Sequence, residues 1–233
     1  QKLTASNGAA SDGFGSSIGV YGDELLIGAK KNAAKTANAG AAYVFSRSGT
    51  TWSQQARLTA SDGAAYDNFG FAVSLQEDLA AVAAYGDSDR GKGSGSVYMY
   101  SRSGTAWSLQ AKITASTGAT GDYMGTGVAL LGTTLLAGAS GDDDRGKSAG
   151  AAYVFTQSGT TWSQQAKLTA FDGIDSDALG NRVALDNDLA MVNAVYSDAT
   201  GLNSGAAYIF KRTGTTWVDY GKLTASDGEA KDY

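Results

Sequence analysis

The chain has 233 residues, a formal net charge of −5, 32 glycines, and no proline, cysteine or histidine. The missing cysteine and histidine exclude disulfides, zinc–thiolate sites, cysteine nucleophiles and the commonest general base. Because the lysines and arginines are few and scattered, and no apolar run approaches the roughly 18 residues of a membrane span, we expect neither a nucleic acid partner nor membrane insertion.

The first unit of the chain predicts four β-strands. Residues 14–20 form a short strand that ends at the turn Gly22-Asp23, and residues 24–29 form a second strand that is apolar on both faces. A polar stretch, 30–39, precedes a third strand at 40–46, which is also apolar on both faces. The fourth strand, 52–60, alternates cleanly between apolar and polar residues, as a half-exposed outer strand does.

This unit is repeated along the whole chain. The segment that begins GTTWSQQARLTASDG at Gly49 returns in similar form from Gly104, Gly159 and Gly214. The period is 55 residues, and it is marked by the only tryptophans of the chain: Trp52, Trp107, Trp162 and Trp217. We therefore predict a single repeat array over residues 1–233, with units at about 14–60, 69–115, 124–170 and 179–225.

Both ends of the chain fall inside a repeat. Residues 1–13 match residues 221–233 in phase, so 1–13 and 226–233 are partial repeats that flank the four complete units. This pattern favours either an excerpt of a longer array or a closed ring in which one terminus completes the unit of the other.

The repeat predicts an all-β fold, namely a β-propeller built of four-stranded antiparallel blades. No helical period is present, and a unit of this length fits a propeller blade better than a β-solenoid coil. A single sheet that is apolar on both faces would leave those faces in water, so we expect the units to stack on one another.

The motifs within each unit resemble the FG-GAP repeat of integrin α-subunit propellers and many bacterial surface proteins. Phe14-Gly15, Gly28-Ala29 and the strand at 40–45 carry the resemblance, which later units share at Phe69-Gly70, Met124-Gly125 and Leu179-Gly180. The resemblance implies a propeller at an extracellular or cell-surface location. It also implies calcium loops of the form Asp-x-Asp-x-Asp-Gly between the first two strands. Those runs are absent here, and so is the proline of the GAP triplet, so we transfer no metal site to these turns.

The segment between the second and third strands varies most between units. It reads KKNAAKTANA from Lys30, YGDSDRGKGS from Tyr85, SGDDDRGKSA from Ser140 and VYSDATGLNS from Val195. Variation on a constant frame is expected where units face a partner. We predict ligand binding at Asp87, Asp89, Arg90, Asp142, Asp144 and Arg145, with calcium as the candidate ion at the four aspartates. The alternative is that they are solvated turn residues, their charge offset by neighbouring arginines and lysines.

A second acidic position recurs in every unit and favours a structural role. An aspartate at this position would cap backbone N–H groups of the connecting turn, and a metal or ligand contact is the alternative. The residues are Asp12, Asp67, Asp122, Asp177 and Asp232.

Two further repeated positions have predictions of their own. The four tryptophans share a strand face with alanine and leucine, which favours packing between blades over a sugar-stacking platform. Arg47, Arg102 and Arg212 are predicted to be exposed hairpin residues.

The sequence predicts that the protein is not an enzyme. Carboxylate pairs can hydrolyse glycosides, but no acidic residue stands out from the repeat and no serine has a histidine partner. We predict a non-enzymatic extracellular module for adhesion or ligand recognition, with a protein or glycan as its partner. One alternative is a building block of a surface layer or filament that assembles with copies of itself through its in-phase termini. A lectin or glycosidase is the third hypothesis.

Overall fold

The structure, a computed structural model, describes residues 1–231, so the predicted acidic position at Asp232 lies outside the described residues. The described chain is built of sixteen β-strands without a helix. They are β1 (Phe14–Tyr21), β2 (Glu24–Ala29), β3 (Ala41–Ser48), β4 (Thr51–Leu58), β5 (Val73–Gln76), β6 (Leu79–Ala84), β7 (Ser96–Ser103), β8 (Ala106–Ile113), β9 (Met124–Leu131), β10 (Thr134–Ala139), β11 (Ala151–Ser158), β12 (Thr161–Leu168), β13 (Leu179–Asp186), β14 (Leu189–Ala194), β15 (Ala206–Thr213) and β16 (Thr216–Leu223).

The strands form four antiparallel sheets, and each sheet contains four consecutive strands in chain order. This confirms the predicted all-β fold of four-stranded antiparallel blades. We call β1–β4 the first blade, β5–β8 the second, β9–β12 the third and β13–β16 the fourth. The first strand of the second blade, β5, is shorter than its counterparts in the other blades. The backbone N–H groups of Gly70 and Phe71 both donate to the carbonyl of Ala83, so regular pairing with β6 begins only at Val73.

The outer strands do not alternate as cleanly as the sequence predicts. In the first blade Val44 pairs with Ala56 and Phe45 pairs with Gln54, so Gln55 is an extra residue that forms a β-bulge. The outer strands of the other three blades carry the same register shift. In the second and third blades the extra residue, Gln110 or Gln165, accepts a hydrogen bond from the tryptophan of the next blade.

Consecutive blades bury their apolar faces against each other, as the repeat predicts. Leu26 and Val44 of the first blade, for example, share a buried cluster with Val82 and Tyr98 of the second. Equivalent clusters join the second blade to the third and the third to the fourth. Burial of these faces is the main stabilising contribution to the array.

The FG-GAP residues form the joint between blades. Phe69 is fully buried, and its ring packs edge-on against Tyr98 with centroids 5.3 Å apart. A Cβ atom on Gly28 would lie only 2.0 Å from the carbonyl oxygen of Gly70, so this close approach requires glycine at position 28. The motif that carries the resemblance is therefore a packing device.

The four blades form an open arc. Within residues 1–231, no buried apolar cluster joins the fourth blade to the first, and apolar side chains remain exposed at both ends, among them Val20 (65%), Met191 (41%) and Leu223 (52%). Leu3 and Ala5 pack on the free face of the first blade, where they take the places that Leu58 and Ala60 take at the next joint.

Candidate functional site

The two ends of each blade have different characters. In antiparallel sheets of this order, the loops between second and third strands and the turns between blades lie at one end, which we call the loop face. It comprises residues 30–40, 85–95, 140–150 and 195–205 with the turns 59–72, 114–123 and 169–178. The opposite end carries the tight hairpins, and we call it the hairpin face.

The hairpin face carries the same ion pair in three of the four blades. Arg47 pairs with Asp23, and the same pair recurs as Arg102 with Asp78 and Arg212 with Asp188. Arg102 and Arg212 are half-buried rather than exposed as predicted, because each also contacts the preceding blade, Arg102 at Glu24 and Arg212 at Thr134. Arg47 has no preceding blade and is exposed, as predicted.

On the loop face of the second blade, one ammonium group forms ion pairs with three carboxylates. Lys112 Nζ lies 2.7 Å from Asp62, 2.8 Å from Asp87 and 2.6 Å from Asp89. The hydroxyl of Tyr98 donates to Asp62 at 2.7 Å and also contacts Asp87 at 3.2 Å. The predicted residues Asp87 and Asp89 are thus brought together, but with a turn aspartate and an outer-strand lysine that the sequence analysis did not single out.

The pKa values in this cluster follow from its hydrogen bonds. Burial alone would raise the pKa of Asp62, but the bonds donated by Lys112 and Tyr98 lower it below its usual value. Burial alone would lower the pKa of Lys112, but the bonds it donates to the three carboxylates raise it above its usual value. The cluster therefore favours a fully charged state.

This cluster bears directly on the predicted calcium ion. Carboxylate oxygens of Asp62, Asp87 and Asp89 lie within 4.8 Å of one another. This spacing allows all three to coordinate one cation that prefers oxygen ligands, such as calcium. The ammonium group of Lys112 lies among those same oxygens, so calcium would have to displace it. Calcium at Asp87 and Asp89 stays a prediction.

The third blade repeats the cluster with one carboxylate fewer. Lys167 Nζ lies 2.7 Å from the buried Asp142 and also pairs with Asp144, and the hydroxyl of Tyr153 donates to Asp142 at 2.7 Å. Thr117 occupies the position of Asp62 and hydrogen-bonds Tyr153. Burial, together with the neighbouring carboxylate, raises the pKa of the Tyr153 hydroxyl to about 12.

The predicted arginines lie apart from these clusters. Arg90 and Arg145 are both exposed, and in the described part of the chain neither side chain pairs with a carboxylate. Their role as ligand-binding residues stays a prediction.

The second acidic position has the structural role that the sequence favoured. The carboxylates of Asp12, Asp67, Asp122 and Asp177 are buried and accept the backbone N–H three residues earlier, at distances of 2.6–3.0 Å. Burial raises the pKa of three of these groups, namely Asp67, Asp122 and Asp177. These aspartates hold the turns between blades.

Three of the tryptophans, Trp107, Trp162 and Trp217, lie between blades, as predicted, whereas Trp52 packs on the free face of the first blade. Trp162 packs against the apolar cluster of the second and third blades, and its Nε1 donates to Gln110 of the preceding blade at 2.9 Å. Trp217 makes the same bond with Gln165. The bulge glutamines of the second and third blades are thus the acceptors that fix the tryptophan of the following blade.

A groove of about 710 Å³ opens on the loop face at the second blade, between the two turns that join this blade to its neighbours. Its walls carry three tyrosines, Tyr66, Tyr85 and Tyr123, and several polar side chains, among them Asn38 and Asn68. Tyr66 is 63% exposed and Tyr123 is 41% exposed. Sequence reasoning missed this groove, because its tyrosines come from three separate segments.

The groove breaks the repeat. Each of its tyrosines stands where the other complete units have small, polar or aliphatic residues, and so does Phe71, whose ring contacts Tyr85 at 4.2 Å between centroids. The equivalent residues are Ser11, Gly121 and Ser176 for Tyr66, Lys30, Ser140 and Val195 for Tyr85, Gly13, Asn68 and Ala178 for Tyr123, and Ser16, Thr126 and Asn181 for Phe71. Comparison of the units at equal phase is the sequence signal that would have found it.

Four stacked antiparallel blades with these joints define a propeller-type repeat protein. The FG-GAP repeat matches residues 1–45, 52–100, 107–155 and 162–210, and the chain belongs to the FG-GAP repeat family, as the resemblance predicted. No curated protein matches the chain. Within residues 1–231 there is also no helix long and apolar enough to cross a membrane.

One solved structure with a similar fold is a protein from Bacteroides uniformis assigned as a 6-phosphogluconolactonase. The two structures agree with a TM-score of 0.62 at 11% identity, and the match covers 91% of this chain and 57% of the other. The chain thus spans little more than half the length of that protein. At this identity the likeness shows the fold alone.

The prediction that the protein is not an enzyme is contradicted by this neighbour, because a similar fold belongs to a protein assigned as a lactonase. The prediction rested on repeat symmetry, because no acidic residue stands out from the repeat in the sequence. The structure removes that ground: the groove at Tyr66, Tyr85 and Tyr123 breaks the symmetry, and three carboxylates meet only in the second-blade cluster among the described residues.

Proposed function

We propose that this FG-GAP chain is an extracellular recognition module that binds its ligand on the loop face. The observation that carries the proposal is the position of the groove. The departures from the repeat at Phe71, Tyr66, Tyr85 and Tyr123 converge there, although they come from different segments. A concave site with aromatic walls and a few polar groups is the usual form of a ligand site.

The hairpin face offers less to a ligand. Its arginines are already paired with aspartates of the same blade, and three blades present the same pair. The loop face combines exposed rings, amides and the cations of Arg90 and Arg145, which pair with no carboxylate of residues 1–231, on segments that differ from blade to blade. Recognition by variable loops on a constant scaffold is a common arrangement.

The repeat itself supplies the test. Tyr66→Ser, Tyr85→Ser and Tyr123→Asn introduce residues that other units carry at the same phase, so the triple variant should fold. Beads coated with the wild-type chain are passed over surfaces that carry extracellular matrix proteins or polysaccharides. We expect retention on at least one surface, loss of retention in the triple variant, and full retention in a hairpin-face control, Arg47→Ser. Retention on no surface, or equal loss in both variants, would overturn the proposal.

A second candidate function, assembly with copies of itself, is favoured by the exposed face of the fourth blade. Met191 and Leu223 occupy the positions that Leu26 and Leu58 occupy at the first joint, where both leucines are buried against the next blade. A first blade of another copy presents Val20, the counterpart of Leu75 in that joint, and its Leu3 would give up to Leu223 the place that it occupies on this face. Such a head-to-tail contact would propagate into a filament.

Analytical ultracentrifugation, which measures the mass of the protein in solution, tests self-assembly. Assembly predicts a mass that increases with protein concentration, and Met191→Lys with Leu223→Lys should abolish the increase. A wild-type chain that stays monomeric at all accessible concentrations would exclude self-assembly, and it would leave the recognition proposal unaffected.

A further inference from the structure

We propose that the groove formed by Tyr66, Tyr85 and Tyr123 binds a neutral carbohydrate. This inference rests on the proposed function and names the ligand class of the same loop face. A volume of about 710 Å³ is in the usual range for a site that encloses a small ligand or part of a chain-like one.

The rings of the groove are held in place from behind. Phe71 packs on Tyr85 with centroids 4.2 Å apart, and Lys30 Nζ lies 4.6 Å from the centroid of Phe71. Tyr85 and Tyr123 are neighbours, with centroids 5.8 Å apart and planes inclined by 55°. A supported aromatic wall offers a ligand a large contact area at little cost in side-chain entropy.

The hydroxyl groups of these tyrosines are free for a ligand. The core tyrosines use theirs internally: Tyr98 donates to Asp62 and Tyr208 donates to Asp172, each at 2.7 Å. Across residues 1–231, the hydroxyls of Tyr66, Tyr85 and Tyr123 have no hydrogen-bond partner in the protein. A phenolic hydroxyl both donates and accepts, which suits a ligand covered with hydroxyl groups.

Charge and shape select the ligand class. Of the residues that line the groove, Lys92 alone is charged, and no carboxylate is among them. One ammonium group gives too weak a field for the repeated phosphates of a nucleic acid, although the rings alone would stack bases. A concave site also fits a sugar chain better than a protein partner, which needs about 800 Å² of contact on each side. A neutral sugar satisfies both conditions.

Two departures from the repeat fit each other at the groove wall. A Cβ atom on Gly93 would lie 2.8 Å from the ring of Tyr123, whereas the other complete units have Asn38, Ser148 and Asn203 at this phase. The glycine at position 93 therefore leaves space for the Tyr123 ring. An exposed ring with no ligand to contact would not need such space.

The test uses the 233-residue chain and five defined probes: maltohexaose, cellohexaose, laminarihexaose, mannohexaose and chitohexaose. Binding of each is measured by isothermal titration calorimetry. We expect at least one to bind the wild-type chain, and Tyr66→Ala and Tyr123→Ala each to weaken that binding by about tenfold or more, since each removes an aromatic contact surface. Tyr220→Ala, an exposed tyrosine on the fourth blade, is the matched control and should bind like the wild type.

The inference would be overturned if none of the five probes bound with a Kd below about 10 mM, since weaker binding is negligible. It would also be overturned if Tyr66→Ala and Tyr123→Ala left the Kd of a bound probe unchanged. If the probes fail while protein-coated surfaces still retain the beads through the loop face, the carbohydrate inference falls and the recognition function stands. If all surfaces and all probes fail, both fall. Circular dichroism of each variant verifies the fold.

Discussion

Lys112 Nζ lies 2.8 Å from a carboxylate oxygen of Asp87, a side chain that is almost completely buried at the base of the second loop. The same ammonium group reaches Asp62 in the turn between the first and second blades. One cation on an outer strand therefore connects two segments of the loop face that are distant in sequence. The contact links the loop that carries predicted site residues to the frame of the blades.

Replacement of this cation is expected to destabilise the second blade. Lys112→Met keeps most of the side-chain volume but leaves the buried Asp87 carboxylate without its counter-charge. We expect the free energy of unfolding to fall by about 2 kcal/mol or more, since a buried charged group loses its partner. Urea denaturation measures the change. Lys147→Met, at an exposed loop position, is the control. Equal effects of the two substitutions would show that the cluster is not a stabilising contact.

The same variant tests the calcium prediction. Without the ammonium group, three carboxylates with oxygens within 4.8 Å of one another remain. We expect millimolar calcium to raise the melting temperature of Lys112→Met by more than that of the wild type, because a cation that binds only the folded state stabilises it. Differential scanning fluorimetry measures both shifts.

Lys167→Met is the matched control for calcium, because Thr117 stands in the third blade where Asp62 stands in the second. With one carboxylate fewer, its calcium-induced shift should be smaller. A shift of the wild type as large as that of Lys112→Met would contradict the view that the ammonium group competes with the ion.

Acid should weaken the contribution of Asp62. Its pKa lies below the ordinary value of 3.8, since the hydrogen bonds from Lys112 and Tyr98 outweigh the opposite effect of burial. A lowered folded-state pKa gives stability that is present above the unfolded-state value and lost as the pH falls through the folded-state value. The destabilisation caused by Asp62→Asn should therefore be largest near neutral pH and shrink below pH 3.8. Urea denaturation at a series of pH values measures it.

The Lys112→Met background is the control for this pH dependence. It lacks the bond that lowers the pKa of Asp62, so the effect of Asp62→Asn should change less with pH there. A pH dependence of the same size in both backgrounds would contradict the assignment of the shift to Lys112.

The fold was predictable because the same strand pattern occurs in all four repeats. The period, the two-sided apolar strands and the Phe-Gly pairs each follow from the packing of one blade on the next, as the contact of Gly28 with Gly70 illustrates. The β-bulge at Gln110 was not predictable from alternation, because the extra residue accepts a hydrogen bond from Trp162 of the following blade.

The candidate site was predictable only in part. Asp87 and Asp89 follow a buried strand and were found from their spacing, but Lys112 joins them only because the outer strand places it beside the loop. The tyrosine groove was not predictable from the loops between the second and third strands, because only Tyr85 belongs to one of them. Tyr66 and Tyr123 belong instead to the turns between blades, and only the packing of blades brings those turns beside Tyr85.

The fit between Gly93 and Tyr123 gives a last prediction, which separates the groove from the stability of the fold. Gly93 has a φ of 67°, and asparagine occupies the same phase as Asn38 and Asn203 with φ of 55° and 56°. Asparagine tolerates this conformation, so Gly93→Asn should change the free energy of unfolding by no more than about 1 kcal/mol. Its Cβ atom would nevertheless lie 2.8 Å from the Tyr123 ring, so the ring must move. Shifts in the ring resonances of Tyr123, observed by NMR with labelled tyrosine, measure the movement.

A double variant shows whether this clash is the cause. Gly93→Asn combined with Tyr123→Asn reproduces the pair Asn38 and Asn68 of the first joint, where both residues have a positive φ. Because the ring that Gly93 accommodates is then absent, any destabilisation by Gly93→Asn should disappear in the Tyr123→Asn background, as expected for two residues in contact. Strictly additive effects on the free energy of unfolding would mean that Gly93 is required by the loop itself. The close fit of Gly93 and Tyr123 would then no longer support the groove as a binding site.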